Sequence, residues 1–139
     1  MARVVHTPVS MNRPQLIVAD DDAATRSLVR SAIGAWYDKV IEVEDGRALF
    51  WTLVRAWYQL PASAPLNLVV IADILMPVYD GLDVLEAWQE FHCDVPLLVT
   101  TGYADERIRA RVARLGVPLL TKPFSLRVLR ESLARIAPA

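Results

Sequence analysis

The strongest constraint on the fold is an alternation that occurs five times along the chain: a short apolar run, a polar break and a stretch with helical periodicity. This alternation favours βα units, which assemble into a parallel sheet with helices on its faces. The third apolar run is unbroken, as is typical of a central strand covered on both sides. We therefore predict a three-layer, doubly wound α/β sandwich. Its predicted strands are 16–19, 40–43, 68–72, 97–100 and 119–121.

The second predicted helix has more apolar circumference than one face of a sheet can cover. Its aromatic side chains are Phe50, Trp51, Trp57 and Tyr58. We interpret them as additional core, with Trp57 facing inward; the alternative is an exposed patch that binds a partner or a second copy. Helical spacing likewise places Leu28 and Trp36 inward on the first helix. A Pro-rich loop at 61–65 ends the second helix.

Length and composition limit the function. A chain of 139 residues with 54% hydrophobic residues and a net charge of -1 has room for one ordered domain. We expect an N-terminal tail at 1–13 and the domain at 14–139. With this composition and charge, we expect no direct nucleic-acid binding. No apolar run suits a membrane span, so we expect a cytoplasmic protein. The single cysteine, Cys93, excludes an internal disulfide.

Polar residues follow four of the five predicted strands, at the edge where a doubly wound sheet binds ligands. They are Asp20, Asp21, Asp22, Asp73, Thr101, Gly102 and Lys122. Clustered carboxylates raise one another's pKa unless a cation lies between them, and oxygen ligands favour Mg²⁺. With an ammonium and a hydroxyl beside the cation, such a site suits a phosphoryl group.

Each of these residues also has a purely structural interpretation. Asp22 fits the N-cap of the first helix, and we assign it no chemistry. Asp73 could be a turn residue at the end of a strand, and Lys122 could be an ordinary surface residue. The convergence of all of them on one edge favours the functional interpretation.

Four motifs in the right order make the chain resemble the receiver domains of two-component response regulators, including the chemotaxis-type single-domain receivers. The resemblance covers residues 15–136 and implies a flavodoxin-like fold with strand order 2-1-3-4-5. The motifs are 17–22 with Arg26, 71–77 with Asp80 and Gly81, the pair Thr101 and Gly102, and 121–124.

The resemblance implies that Asp73 accepts a phosphoryl group from a histidine kinase or a histidine phosphotransfer protein. Mg²⁺ or Mn²⁺ would be held by Asp20, Asp21, Asp73 and the backbone carbonyl of Leu75, with Asp20 acting through a water. Lys122 would pair with a phosphoryl oxygen, and its bond to Pro123 would be cis, as it is in the family. The protein would then be a phosphorylation-controlled signalling switch that dephosphorylates itself slowly, not an enzyme with a separate substrate.

The family's switch pairs a hydroxyl, here Thr101, with an aromatic ring, and Gly102 leaves space for the phosphate. The chain departs from this pattern because Leu119 stands where the ring is usual. We therefore expect the switch to depend on Thr101 and on the loop at Tyr103. In the family, partners or a second receiver dock on the face formed by the fourth helix, the fifth strand and the fifth helix. Here that face would include Arg107, Arg111 and Arg114.

Two other functions remain open from the sequence. A Mg²⁺-dependent phosphatase of the haloacid-dehalogenase kind also uses an aspartate nucleophile, but it needs a second aspartate at the position of Leu75. A pseudo-receiver that only scaffolds is the third interpretation. It conflicts with the presence of every acceptor-site residue.

Overall fold

The computed structural model describes residues 13–59, 67–90 and 95–136. Residues 1–12 of the predicted tail at 1–13, the loop at 61–65, Phe91, Cys93 and residues 137–139 lie outside these ranges. The strands are β1 (Gln15–Ala19), β2 (Lys39–Val43), β3 (Leu68–Asp73), β4 (Leu97–Thr101) and β5 (Leu119–Thr121). The helices are α1 (Ala23–Ile33), α2 (Gly46–Tyr58), α3 (Gly81–Gln89), α4 (Glu106–Leu115) and α5 (Leu126–Ile136).

All five strands run parallel in the order β2-β1-β3-β4-β5, which confirms the predicted topology. Every predicted strand is present, and its ends differ from the prediction by at most one residue. Each residue of β3 is buried, as expected for the central strand. The winding direction changes between β1 and β3, so the carboxyl ends of these two strands flank the ligand-binding crevice.

Four helices begin at an aspartate whose carboxylate accepts a hydrogen bond from a backbone N–H of the first turn. These N-caps are Asp22, Asp45, Asp80 and Asp105. A carboxylate at this position satisfies an otherwise unpaired donor and complements the helix dipole. An aspartate thus marks the start of each of these four helices, beyond the carboxyl end of the preceding strand.

The sheet separates two apolar layers. On one side α2, α3 and α4 bury side chains that include Leu49, Leu53, Leu82, Leu85 and Val112. On the other side α1 and α5 bury Val29, Ile33, Leu129 and Leu133. In the described residues, no helix is both long and apolar enough to cross a membrane.

The prediction that the large side chains of the first two helices are core was wrong for five of them, which are 44% to 79% exposed: Leu28, Trp36, Trp51, Trp57 and Tyr58. Phe50 is half-buried and packs against the core, as predicted. α1 ends at Ile33, and Gly34 starts a short 3-10 turn that carries Trp36 away from the helix face. In α2 only a narrow stripe through Gly46, Leu49 and Leu53 is buried. On α2, Trp51, Trp57 and Tyr58 therefore form an exposed aromatic surface.

Candidate functional site

The loop that follows β1 fixes one carboxylate and exposes the next. The N–H of Asp20 donates to the carbonyl of Val43, 3.1 Å away at the end of β2. The Asp20 carboxylate is buried, and its Oδ1 accepts a hydrogen bond of 2.9 Å from the N–H of Asp22. Asp21 is exposed at the mouth of the site. Asp22 caps α1 as predicted, through a hydrogen bond from the N–H of Ala24.

Asp73 ends β3 and is only 5% exposed. Its Oδ1 is buried and has no hydrogen-bond partner among the described residues. The backbone around it is tightly packed, since a Cβ at Gly81 would collide with the Asp73 carbonyl oxygen. The N–H of Gly81 also donates to the carbonyl of Ile74 at 2.8 Å. Packing against α3 therefore holds the carboxylate at a fixed point on the rim.

Lys122 joins the two buried carboxylates. Its Nζ lies 2.7 Å from Oδ2 of Asp20 and 3.2 Å from Oδ2 of Asp73. Partial burial lowers the pKa of the ammonium, but the bond to Asp20 and the charges of both aspartates raise it further, so the net direction is upward. The peptide bond between Lys122 and Pro123 is cis. The Lys122 ammonium is therefore charged in this site, and its partners are one carboxylate oxygen of Asp20 and one of Asp73.

Burial raises the pKa of Asp73 from 3.8 to about 6, and the negative charge of Asp20 adds to the effect. Lys122 acts in the opposite direction, through its charge and its hydrogen bond. The ionised form of the Asp73 carboxylate is thus destabilised by its surroundings, and a further positive charge would stabilise it.

The three carboxylates can hold a metal ion. One oxygen from each of Asp20, Asp21 and Asp73 lies within 4.8 Å of the others. Carboxylate oxygens suit a hard cation such as Mg²⁺, and the unpartnered Oδ1 of Asp73 is a buried acceptor that needs a positive partner. Leu75 lies in the loop after β3 with its side chain exposed. The donor set therefore fits a divalent cation.

Three of the predicted switch residues, Thr101, Gly102 and Tyr103, lie at the carboxyl end of β4, whereas Leu119 begins β5. Thr101 is fully buried, and its hydroxyl donates to the Tyr103 carbonyl at 2.9 Å and accepts from the Tyr103 N–H at 3.1 Å. A Cβ at Gly102 would meet open space. Tyr103 is 64% exposed, whereas Leu119 is half-buried against the core. In this conformation the Thr101 hydroxyl is therefore hydrogen-bonded to the backbone of Tyr103.

The three arginines predicted on the face of the fourth helix do not share one environment. Arg107 and Arg114 are exposed. Arg111 turns towards α3, where its guanidinium lies 2.6 Å from Glu86 and 2.9 Å from Asp83. The hydrogen bonds that the guanidinium donates to these carboxylates, the one to Glu86 first, raise the pKa of Arg111. Arg111 therefore links two helices, which the spacing along α4 alone could not reveal.

Comparisons with known proteins agree with this architecture. A family model described as the response regulator receiver domain matches residues 16–134. The C4-dicarboxylate transport transcriptional regulatory protein DctD of Pseudomonas aeruginosa is 30% identical over 122 residues, or 87% of this chain and 24% of that protein. The response regulator MprA of Mycolicibacterium vanbaalenii is 34% identical over 125 residues, or 88% of this chain and 48% of that protein.

Among solved structures, the chemotaxis protein CheY4 of Vibrio cholerae superposes with a TM-score of 0.71 at 24% identity, covering 89% of this chain and 98% of that one. This likeness shows the shared fold. The chain spans about a quarter to a half of the length of DctD and MprA. The chain belongs to the response regulator receiver domain family of two-component signal transduction. The family match identifies the receiver and not the phosphatase alternative.

Proposed function

We propose that Asp73 is the residue that accepts the phosphoryl group, in a reaction that depends on a divalent cation. The observation that carries this proposal is the state of its carboxylate: buried, held by Lys122 at Oδ2, and without a partner at Oδ1 among the described residues. A carboxylate oxygen is a competent nucleophile towards phosphorus once it is ionised and oriented. Asp73 is ionised near neutral pH, since its pKa is about 6, and the hydrogen bond from Lys122 orients its carboxylate.

Asp20, Asp21 and Asp73 would hold Mg²⁺ or Mn²⁺, with the Leu75 carbonyl as a further ligand. When bound, the cation would neutralise charge on the phosphoryl oxygens and on the crowded carboxylates. Asp20 already uses both carboxylate oxygens, one for the Asp22 N–H and one for Lys122. This arrangement supports an indirect role for Asp20, through a water, and a direct one for the exposed Asp21.

Lys122 orients the Asp73 carboxylate before transfer and pairs with a phosphoryl oxygen afterwards. Thr101 would turn its hydroxyl from the Tyr103 backbone towards the new phosphoryl group, since it lies on the neighbouring strand end. That movement would free the loop at Tyr103 and carry the signal outward. Gly102 leaves the approach open, because nothing lies within 4 Å of the position of a Cβ there.

The donor would be a phosphohistidine on a sensor kinase or a phosphotransfer protein in the cytoplasm. Receiver domains of this family interact with histidine kinases. Arg107 and Arg114, which are exposed on α4, would belong to the surface of α4, β5 and α5 that binds an output partner or a second copy. The chain would return to its resting state by slow hydrolysis of its own acyl phosphate.

The test is incubation of the protein with acetyl phosphate, with and without Mg²⁺, followed by intact-protein mass spectrometry. We expect one added phosphoryl group that requires Mg²⁺ and is absent in Asp73→Asn. Asp38→Asn, which changes an exposed aspartate far from the rim, is the matched control and should be modified like the wild type. Continuous turnover of the phosphate donor without a modified protein would favour the phosphatase alternative instead.

A further inference from the structure

Arg26, on the second turn of α1, connects the acidic loop to β2. Its Nη1 donates to the backbone carbonyl of Asp20 at 2.8 Å, and its Nε donates to Oε1 of Glu42 at 3.1 Å. The Arg26 side chain is only 14% exposed. A guanidinium presents its donors in a rigid fork, so two partners fix its orientation. Arg26 thus ties the main chain of the acidic loop to the neighbouring strand.

The carbonyl that Arg26 binds belongs to the peptide unit that joins Asp20 to Asp21. A peptide unit is planar, so fixing its oxygen also fixes the nitrogen of Asp21 and the direction in which the chain continues. The other polar groups of Asp20 are already engaged, by Val43, Asp22 and Lys122. The contact between Arg26 and the Asp20 carbonyl therefore does what the other contacts of Asp20 do not: it sets the orientation of the exposed Asp21.

Glu42 makes this arrangement compatible with a cation. A guanidinium alone near the carboxylate cluster would repel a divalent ion. Here Glu42 pairs directly with the guanidinium of Arg26 and offsets its charge. Glu42 is held in turn by Arg30, whose Nε lies 2.7 Å from Oε2, and hydrogen bonds from Arg30 and Arg26 lower the pKa of Glu42. Arg30 also donates to the Val40 carbonyl at 3.2 Å and so anchors the pair on β2.

We propose that Arg26 is a positioning residue of the metal site: through the Asp20 carbonyl it holds the acidic loop in the conformation that presents the Asp21 carboxylate to the cation. The proposal rests on the Mg²⁺ site of the proposed function. Arg26 is not among the residues proposed to hold the cation or the phosphoryl group, since its partners are the Asp20 carbonyl and Glu42. Its effect should therefore appear in Mg²⁺ affinity and not in the rate of phosphorylation at saturating Mg²⁺.

The experiment compares Arg26→Gln with Arg30→Gln, which removes an arginine from the same glutamate but leaves the Asp20 carbonyl bonded. Mg²⁺ binding is measured by isothermal titration calorimetry on the full chain, and the Mg²⁺ concentration for half-maximal modification by acetyl phosphate is measured in parallel. Removing groups that orient metal ligands weakens binding by about 10–100-fold. We expect a loss on the order of tenfold in Arg26→Gln, a change within about twofold in Arg30→Gln, and partial recovery in Arg26→Lys.

A variant that melts at lower temperature but binds Mg²⁺ like the wild type would show that Arg26 only stabilises the fold, and the proposal would be overturned. If Arg26→Gln does not fold, Arg26→Lys is compared with Arg30→Lys. Both variants keep the positive charge beside Glu42, and only the first replaces the guanidinium that binds the Asp20 carbonyl. Weaker Mg²⁺ binding in Arg26→Lys than in Arg30→Lys supports the proposal, and equal binding overturns it. A wild type that binds no Mg²⁺ would instead refute the metal site itself, and the proposed function with it.

Discussion

The ammonium of Lys122 lies 3.2 Å from Oδ2 of Asp73, although the two residues are 49 positions apart in the chain. The fold creates this contact because β3 and β5 end at the same edge of the sheet, on either side of β4. The same ammonium bonds to Asp20, so a single cation holds two buried carboxylates that would otherwise repel each other.

The stability of the metal-free protein should fall as the pH rises from about 4 to about 6. In this window the folded state keeps the proton on Asp73, whose pKa is about 6, while the unfolded chain releases it near 3.8. The folded state thus binds more protons, and the free energy of unfolding decreases with pH by up to about 3 kcal/mol for this group.

Asp73→Asn removes this titration and should be more stable than the wild type at neutral pH without metal, but not at pH 3. Urea unfolding of both proteins in a chelator, across this pH range, measures the difference. A difference that is independent of pH would contradict the burial of an ionised Asp73. Mg²⁺ should stabilise the wild type more than the variant, because it binds the folded state through this carboxylate.

Lys122→Met should destabilise the metal-free protein by about 1–3 kcal/mol at neutral pH, since it leaves two buried carboxylates without their cation. The loss should shrink in acid, where the carboxylates are protonated. Modification by acetyl phosphate should slow on the order of a hundredfold. Lys39→Met removes the other lysine of the chain, which is exposed at the start of β2, and should behave like the wild type in both assays.

Phosphorylation should act on the outer surface through Thr101 and Tyr103 more than through Leu119. The Thr101 hydroxyl must leave the Tyr103 backbone to reach a phosphoryl group, which releases both hydrogen bonds of that loop. Leu119 is half-buried and has little area to exchange between two positions, so it offers little differential free energy. NMR shifts induced by beryllofluoride across residues 101–120 should therefore be lost in Thr101→Val, reduced in Tyr103→Ala and kept in Leu119→Ala. The opposite pattern, with the response lost only in Leu119→Ala, would refute this view of the switch.

Arg111→Ala should cost about 1–2 kcal/mol of unfolding free energy, because the side chain binds Glu86 and Asp83 across the boundary between α3 and α4. Arg114→Ala, at an exposed position on the same helix, should stay within about 0.5 kcal/mol of the wild type. Thermal or urea unfolding distinguishes the two variants. Equal effects would mean that the α3–α4 ion pairs contribute nothing in solution.

Much of the fold follows from local patterns in the sequence. The alternation of apolar runs and helical periodicity predicted every strand, and Asp22 was identified as the N-cap of α1. The arrangement of Asp20, Asp21, Asp73 and Lys122 on one rim also followed, because the ends of parallel strands converge at one edge. The strands and the N-cap depend on the order of residues within a single βα unit, and the rim follows from the parallel arrangement of the units.

What the sequence could not predict depends on how the units pack. Apolar spacing placed Trp57 in the core, but the width of the buried stripe on α2 is set by the sheet and by α3. Helical spacing alone grouped Arg111 with Arg107 and Arg114, whereas its partners are 25 and 28 positions away on α3. Arg26 was noted only as part of a motif, since its bond to the Asp20 carbonyl involves the backbone and leaves no pattern of residue types.

The most direct test of the account is to identify the phosphorylated residue itself. Protein modified by acetyl phosphate in Mg²⁺ is reduced with borohydride, which converts an aspartyl phosphate to homoserine, and the peptides are sequenced by mass spectrometry. We predict homoserine at Asp73 alone, in a peptide that remains unconverted when Mg²⁺ is omitted. Conversion at Asp20 or Asp21 in place of Asp73, or at none of the three, would contradict the assignment of Asp73 as the acceptor.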